Sequence, residues 1–129
     1  MARKEVLRTE RAPAPFQGAP YSQGIRCGEL VFVSGQLGVD PSTGEMVEGG
    51  ISEQTAQAMR NLEAILEEAG SSLKQLVKTT IYLVDLADFA AMNEAYAERL
   101  GNQPPARATT QAAALPSAAL VEIEAIGHL

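Results

Sequence analysis

The chain reads as one α+β domain, a mixed β-sheet with two helices packed on one of its faces. Three observations predict this. Segments of strand-like and helix-like character alternate in the order β-β-α-β-α-β-β, with room for a further strand at the N-terminus. The chain has 129 residues, of which 46% are hydrophobic and 20% charged, enough apolar material for a single core and not the composition of a disordered chain. Two helices cover only one face of a sheet, so the other face is left open.

The elements follow in order. The first ten residues are charged, with Val6 and Leu7 the bulky apolar ones after Met1, and allow a short edge strand. Residues 11–20 hold three prolines and one glycine and read as loop. Residues 25–27 form a short strand, and Gly28-Glu29 is a two-residue hairpin turn. Leu30-Val31-Phe32-Val33-Ser34-Gly35 follows as a strand so apolar that both faces are expected to be covered. The cluster Asp40-Pro41-Ser42-Thr43-Gly44 is a turn. Ser52 can cap a helix running to about Ala69, with Ala56, Met59, Leu62, Ile65, Leu66 and Ala69 at spacings of three and four and Gly70 as its stop. Residues 78–84 are rich in β-branched side chains and read as a strand. A second helix begins at Asp85 or Asp88, with Phe89, Met92, Tyr96 and Leu100 as its buried stripe and Gly101 at its end.

The C-terminal part carries the candidate chemistry. Pro104 and Pro105 fix an extended entry, because proline locks φ and keeps its predecessor out of the helical region. Arg107 opens a strand, and a connection through Leu115-Pro116-Ser117 leads to another at residues 120–126. There Val121, Ile123 and Ala125 share one face, while Leu120, Glu122, Glu124 and Ile126 share the other. Two carboxylates in so apolar a strand are costly unless they meet a partner. Arg107 is the nearest candidate in sequence. A guanidinium and a carboxylate facing each other across a groove could hold a small carboxylate-bearing molecule and a water. An interface salt bridge of Arg107 with Glu122 or Glu124 explains the same residues, and the residues alone favour it. The half-apolar, half-acidic face fits association with further subunits, which would put a site using these carboxylates at a subunit boundary.

Several function classes are disfavoured. A net charge of −6 argues against binding a phosphate backbone. The single cysteine, Cys27, excludes an intrachain disulfide and suits a reducing compartment. The N-terminus is too charged for a signal peptide, and no apolar run approaches the ~18 residues of a membrane span, so a soluble cytoplasmic protein is expected. The chain has no G-x-x-x-x-G-K and no G-x-G-x-x-G, and Ser34 is not in a G-x-S-x-G elbow. With one histidine, His128 in the tail, and one cysteine, no zinc site is expected.

Six segments, in order, resemble the RidA family (reactive intermediate deaminase, also called YjgF). They are Ala19-Pro20-Tyr21-Ser22-Gln23-Gly24, Phe32-Val33-Ser34-Gly35-Gln36, Asp40-Pro41-Ser42-Thr43-Gly44, Val77-Lys78-Thr79-Thr80, Pro105-Ala106-Arg107 and Val121-Glu122-Ile123-Glu124-Ala125-Ile126. The resemblance spans nearly the whole chain and implies a single domain over residues 1–129 with a chorismate-mutase-like α+β fold. It implies a homotrimer with three clefts between subunits. The activity it implies is hydrolysis of 2-imino acids and their enamine tautomers, such as 2-aminoacrylate/2-iminopropanoate and 2-iminobutanoate, to 2-keto acids and ammonia, without metal or organic cofactor.

By the same resemblance, Arg107 matches the arginine that grips the substrate carboxylate, and Glu122 the glutamate that positions or activates the water. Tyr21, Ser34 and Gly35 match cleft residues, and Asn93 a polar one on the second helix. Thr109 stands where many members have cysteine. Pro104 replaces a frequent aromatic and Ala19 a frequent glycine, which reshapes the cleft rim. Plainer roles exist: Tyr21 as loop anchor, Ser34 as strand-end cap, Asn93 as helix surface, Glu124 as a structural carboxylate. Two other functions stand beside this one: a ribonuclease or translation inhibitor, which also goes with the resemblance, and a regulatory or chaperone-like trimer that binds small carboxylates without turnover. The charge and the lack of a histidine base weigh against the first, and Glu122 against the second.

Overall fold

The computed structural model describes residues 3–129. Six strands form one sheet: β1 (Lys4–Leu7), β2 (Gly24–Cys27), β3 (Leu30–Gln36), β6 (Leu76–Leu83), β7 (Ala106–Gln111) and β8 (Val121–His128). Their spatial order is β1-β2-β3-β8-β6-β7. β6 and β7 are parallel and the other neighbours antiparallel. A parallel pair requires a crossover, and α2 (Phe89–Ala97) supplies it. α1 (Ile51–Glu68) lies beside α2 on the same face. The Asp40–Gly44 turn joins two very short strands, β4 (Val39–Asp40) and β5 (Glu45–Met46). This is the expected mixed α+β sheet with both helices on one face.

The core lies between α1 and the sheet. Met59, Leu62, Ile65 and Leu66 of α1 are fully buried, as are Val31, Ile81, Val121 and Ile123 of the strands. Each such aliphatic side chain contributes about 1.5–3 kcal/mol on burial. The alternation expected in β8 holds, with Val121 and Ile123 at 0% and Ala125 at 5% exposure. Gly28 takes φ +61° in the two-residue turn that closes Cys27 onto Leu30.

Three expectations need correction. β3 is covered on one face only: Leu30 and Phe32 are 43% and 40% exposed. A run of apolar residues cannot distinguish a strand buried by its own chain from one whose second face is left open. α1 begins at Ile51 rather than being capped by Ser52, and its entry is tied by Glu53 Oε1, which accepts from the Gly50 N–H at 2.8 Å. α2 is shorter than the apolar spacing suggested. Residues 86–88 form a 3₁₀ turn, with Asp85 accepting from the Ala87 N–H at 2.9 Å, and α2 ends at Ala97.

Candidate functional site

Register assigns each candidate residue to a face of the sheet. Arg107 pairs with Thr79, and Thr79 with Ala125; both of those partners are buried beneath the helices. Arg107 therefore lies on the helix-covered face. Glu122 pairs with Tyr82, one register position from the buried Val121–Leu83 pair, and lies on the open face. β6 also separates their two strands. Within one chain, Arg107 and Glu122 do not face each other across a groove. Among the described residues the two salt bridges are Arg11–Glu67 and Arg99–Glu63.

The helix-face group is built by β7 and α2. The Arg107 guanidinium carbon lies 5.4 Å from the centroid of the Phe89 ring and 5.3 Å from that of Tyr96. The Tyr96 hydroxyl is 2.7 Å from Thr79 Oγ1. Burial pushes the Tyr96 phenol up, against the Thr79 hydrogen bond and the charge of Arg107, so it stays protonated at neutral pH. Phe89, Asn93 and Tyr96 fall at i, i+4 and i+7 on one stripe of α2. Thr109 follows Arg107 by two positions on the same face of β7. Asn93 Oδ1 and Thr109 Oγ1 are buried with no hydrogen-bond partner among the described residues. Two orphaned acceptors beside an unpaired guanidinium are unusual outside a binding site. Phe89, which its spacing assigns to the buried stripe, is 41% exposed.

The open-face group surrounds a cleft of about 460 Å³. Glu122, Gly35 and Tyr21 line it, together with Phe16, Leu37 and Met46. Loss of water around Glu122, and secondarily the charge of Glu124, raise its pKa above the ordinary carboxylate value. The Glu124 carboxylate accepts from the Tyr82 hydroxyl at 3.0 Å, and this bond is the main cause of a raised Tyr82 pKa. Gly35 has a steric role: a Cβ there would lie 2.8 Å from the Glu122 carboxylate. Ser34 and Gly35 form a bulge, since Val33 pairs with Ala125 and Gln36 with Ile123, leaving two residues opposite one. Ser34 lies on the sheet surface beside Lys78, Thr80 and Glu124 rather than in the cleft with Glu122. Its hydroxyl donates to the Ser22 carbonyl at 2.6 Å. The Tyr21 hydroxyl accepts from the Phe16 N–H at 2.6 Å and so also anchors the loop.

Sequence reasoning missed the residues that hold the cleft loops. Gln23 is 5% exposed; its Nε2 donates to the carbonyls of Thr9, Ala12 and Pro13, and its Oε1 accepts from the Thr9 N–H. Asn61, fully buried in α1, donates to the carbonyls of Leu37 and Val39 at 3.0 and 2.9 Å. The available signal was an asparagine beside the apolar stripe of α1. Two cleft residues, Gln17 and Ser117, have φ of 52° and 58°, left-handed conformations that cost non-glycine residues of order 1–3 kcal/mol. Such strain collects at functional sites.

A mixed sheet with two helices on one face, a bulge beside a desolvated glutamate, and an arginine against two aromatic rings define an α+β protein with candidate groups on both faces of one sheet. Comparisons with known proteins agree on the family. The family model described as Endoribonuclease L-PSP matches residues 9–129. A RutC family protein of Pyrococcus abyssi is 52% identical over 125 residues, 97% of each chain. The 2-iminobutanoate/2-iminopropanoate deaminase of Mus musculus is 45% identical over 123 residues, 95% of this chain and 90% of that one. The crystal structure of RidA from an Antarctic Psychrobacter superposes with a TM-score of 0.92 at 44% identity, over 97% of this chain and 99% of that one. Escherichia coli TdcF with bound serine superposes with a TM-score of 0.90 at 37% identity, over 97% and 98%. The chain belongs to the RidA/YjgF family, with its chorismate-mutase-like fold.

Proposed function

We propose that the protein hydrolyses small 2-imino acids, and the enamines in equilibrium with them, to 2-keto acids and ammonia. The reaction takes place in clefts that two copies of the chain complete together. One observation carries this reading. Arg107 and Glu122 lie on opposite faces of one sheet, and neither has an ionic partner among the described residues of its own chain. A cyclic assembly, a homotrimer in this reading, sets the Arg107 corner of one copy over the Glu122 cleft of the next. The exposed Leu30 and Phe32 supply apolar surface for such contact.

The chemistry then follows from the groups present. Arg107, with its N–H donors unpaired, meets the planar carboxylate of the substrate through two parallel hydrogen bonds. Asn93 and Thr109 offer their orphaned oxygens to the bound molecule's N–H donors or to a water. Glu122 takes a proton from water as the water oxygen bonds to the iminium carbon. The resulting carbinolamine receives that proton on nitrogen, the C–N bond breaks with its electron pair leaving on ammonia, and Glu122, ionised again, takes the hydroxyl proton as the C=O forms and passes it to the departing ammonia. Tyr21 lines the same cleft and Gly35 leaves the Glu122 carboxylate its space. Ser34 orders the adjoining loop rather than contacting the substrate in this scheme.

Relatives named as deaminases, and one relative with bound serine, support an amino-acid-like ligand. The ribonuclease reading has less support: His128 lies six residues along β8 from Glu122, ~20 Å at strand rise, and the net charge is −6. No helix among the described residues is long and apolar enough to cross a membrane. The half-buried thiol of Cys27 suits the reducing cytoplasm. The test is a coupled assay: a dehydratase generates 2-aminoacrylate from serine, and pyruvate release is followed with and without the protein. Accelerated release is expected. An intact oligomer that gives no acceleration, yet binds pyruvate, would establish carboxylate binding without turnover instead.

A further inference from the structure

We propose that Phe89 and Tyr96 are positioning residues that fix the plane of the Arg107 guanidinium for the incoming carboxylate. This deepens the deaminase reading and rests on it. Arginine side chains are long and flexible, and an unpaired one on an edge strand has no reason to hold one orientation. Here the guanidinium sits 5.4 and 5.3 Å from two ring centroids, inside the ~6 Å reach of a cation–π contact. A carboxylate partner would hold it as firmly but would neutralise it and occupy its donors. Ring faces orient the cation and leave both its charge and its N–H edge for a ligand.

The rings are themselves placed for this. Tyr96 is 5% exposed, and its hydroxyl is 2.7 Å from Thr79 Oγ1. Thr79 is the register partner of Arg107, so strand, helix and guanidinium form one closed circuit of contacts. Phe89 is 41% exposed, so core packing does not explain an aromatic there. Asn93, with its orphaned Oδ1, lies between the two rings on the same stripe of α2.

The test uses the full-length protein with Phe89→Leu, Phe89→Tyr and Tyr96→Phe. Leucine keeps apolar bulk and loses the ring face; tyrosine restores it. Phe89→Leu should lower kcat/KM for 2-aminoacrylate by roughly 2- to 30-fold, the range of one cation–π contact, with oligomer mass unchanged. Phe89→Tyr should recover most of that loss. Tyr96→Phe keeps the ring and should lose less than Phe89→Leu. Independently of turnover, the Arg107 Nε–H resonance should carry a ring-current shift that Phe89→Leu diminishes and Phe89→Tyr restores. Wild-type kcat/KM in Phe89→Leu, equal losses in the Leu and Tyr variants, or an Arg107 resonance indifferent to Phe89 would each overturn the proposal. Arg107→Ala separates the two layers. If it keeps wild-type activity, the carboxylate grip itself is wrong. If it is inactive while Phe89→Leu is normal, only the aromatic clamp is wrong.

Discussion

Because Arg107 and Glu122 occupy opposite faces of the sheet, two inactive variants should restore each other. Arg107→Ala removes the grip and leaves the Glu122 cleft intact. Glu122→Gln removes the base and leaves the Arg107 corner intact. In a ring where each cleft takes Glu122 from one copy and Arg107 from the next, a one-to-one mixture forms an intact cleft only where the right neighbours meet. The chance of each half being wild type is one in two, so about one quarter of clefts should be active, for a trimer or for any other closed assembly built this way. The two variants are purified separately, unfolded together and refolded, and the coupled deaminase assay is run on the mixture. Each variant refolded alone is the baseline. Recovery near a quarter of wild-type turnover is expected. If both residues served one cleft within a single chain, mixing would restore nothing, since every chain carries a lesion. Baseline activity in a mixture shown by mass spectrometry to contain mixed oligomers would refute the shared cleft.

Other outcomes follow from the same geometry. Arg107→Ala should nearly abolish deamination, since losing one hydrogen bond to a charged group, ~1.5–3 kcal/mol, already weakens binding ~10- to 150-fold. Arg107→Lys should recover only part, and an intact Lys oligomer with wild-type kcat/KM would show that the planar fork is not the basis of the grip. Burial and then the charge of Glu124 raise the Glu122 pKa above 4.5, so activity that needs ionised Glu122 falls as pH drops through that raised value. Glu124→Gln removes the like charge and should move the acid limb of kcat to lower pH; an unmoved limb would mean another group sets it. Gly35→Ala puts a methyl 2.8 Å from the Glu122 carboxylate. Turnover should fall about 10- to 100-fold by misplacing the base, with the thermal midpoint nearly unchanged, and kcat equal to wild type would show that its placement is tolerant.

Most of the fold was legible in the sequence because local period and tertiary burial agree. In β8, Val121, Ile123 and Ala125 alternate with Glu122 and Glu124, and the structure buries the first set. Strand adjacency was not legible. Residues 107 and 122 read as facing residues on consecutive strands, yet β6 lies between those strands and its register puts the two residues on opposite faces. Nothing local encodes which strands pair, since pairing is decided by long-range burial. The bulge at Ser34-Gly35 was hidden for a related reason: it exists only relative to β8. Phe89 was misread because a helical stripe of apolar residues does not say that one of them faces an arginine instead of the core. Gln23 and Asn61 were invisible as loop anchors because their partners are backbone carbonyls, which every residue possesses.

The two half-sites also connect assembly to chemistry. Glu122 alone is a carboxylate that has lost part of its water without gaining a counter-charge, and its raised pKa records that cost. Arg107 alone is a guanidinium flanked by orphaned oxygens. Neither feature helps an isolated chain. Both become favourable when a neighbouring copy brings the opposite charge to each, with room between them for a substrate carboxylate and a water. A cation near Glu122 also opposes the upward shift that burial and Glu124 impose, because positive charge favours the ionised form. In the proposed assembly the association that completes each cleft thus also brings Glu122 a counter-charge. A monomer would have a folded core and an exposed sheet face but no cleft in which grip and base meet.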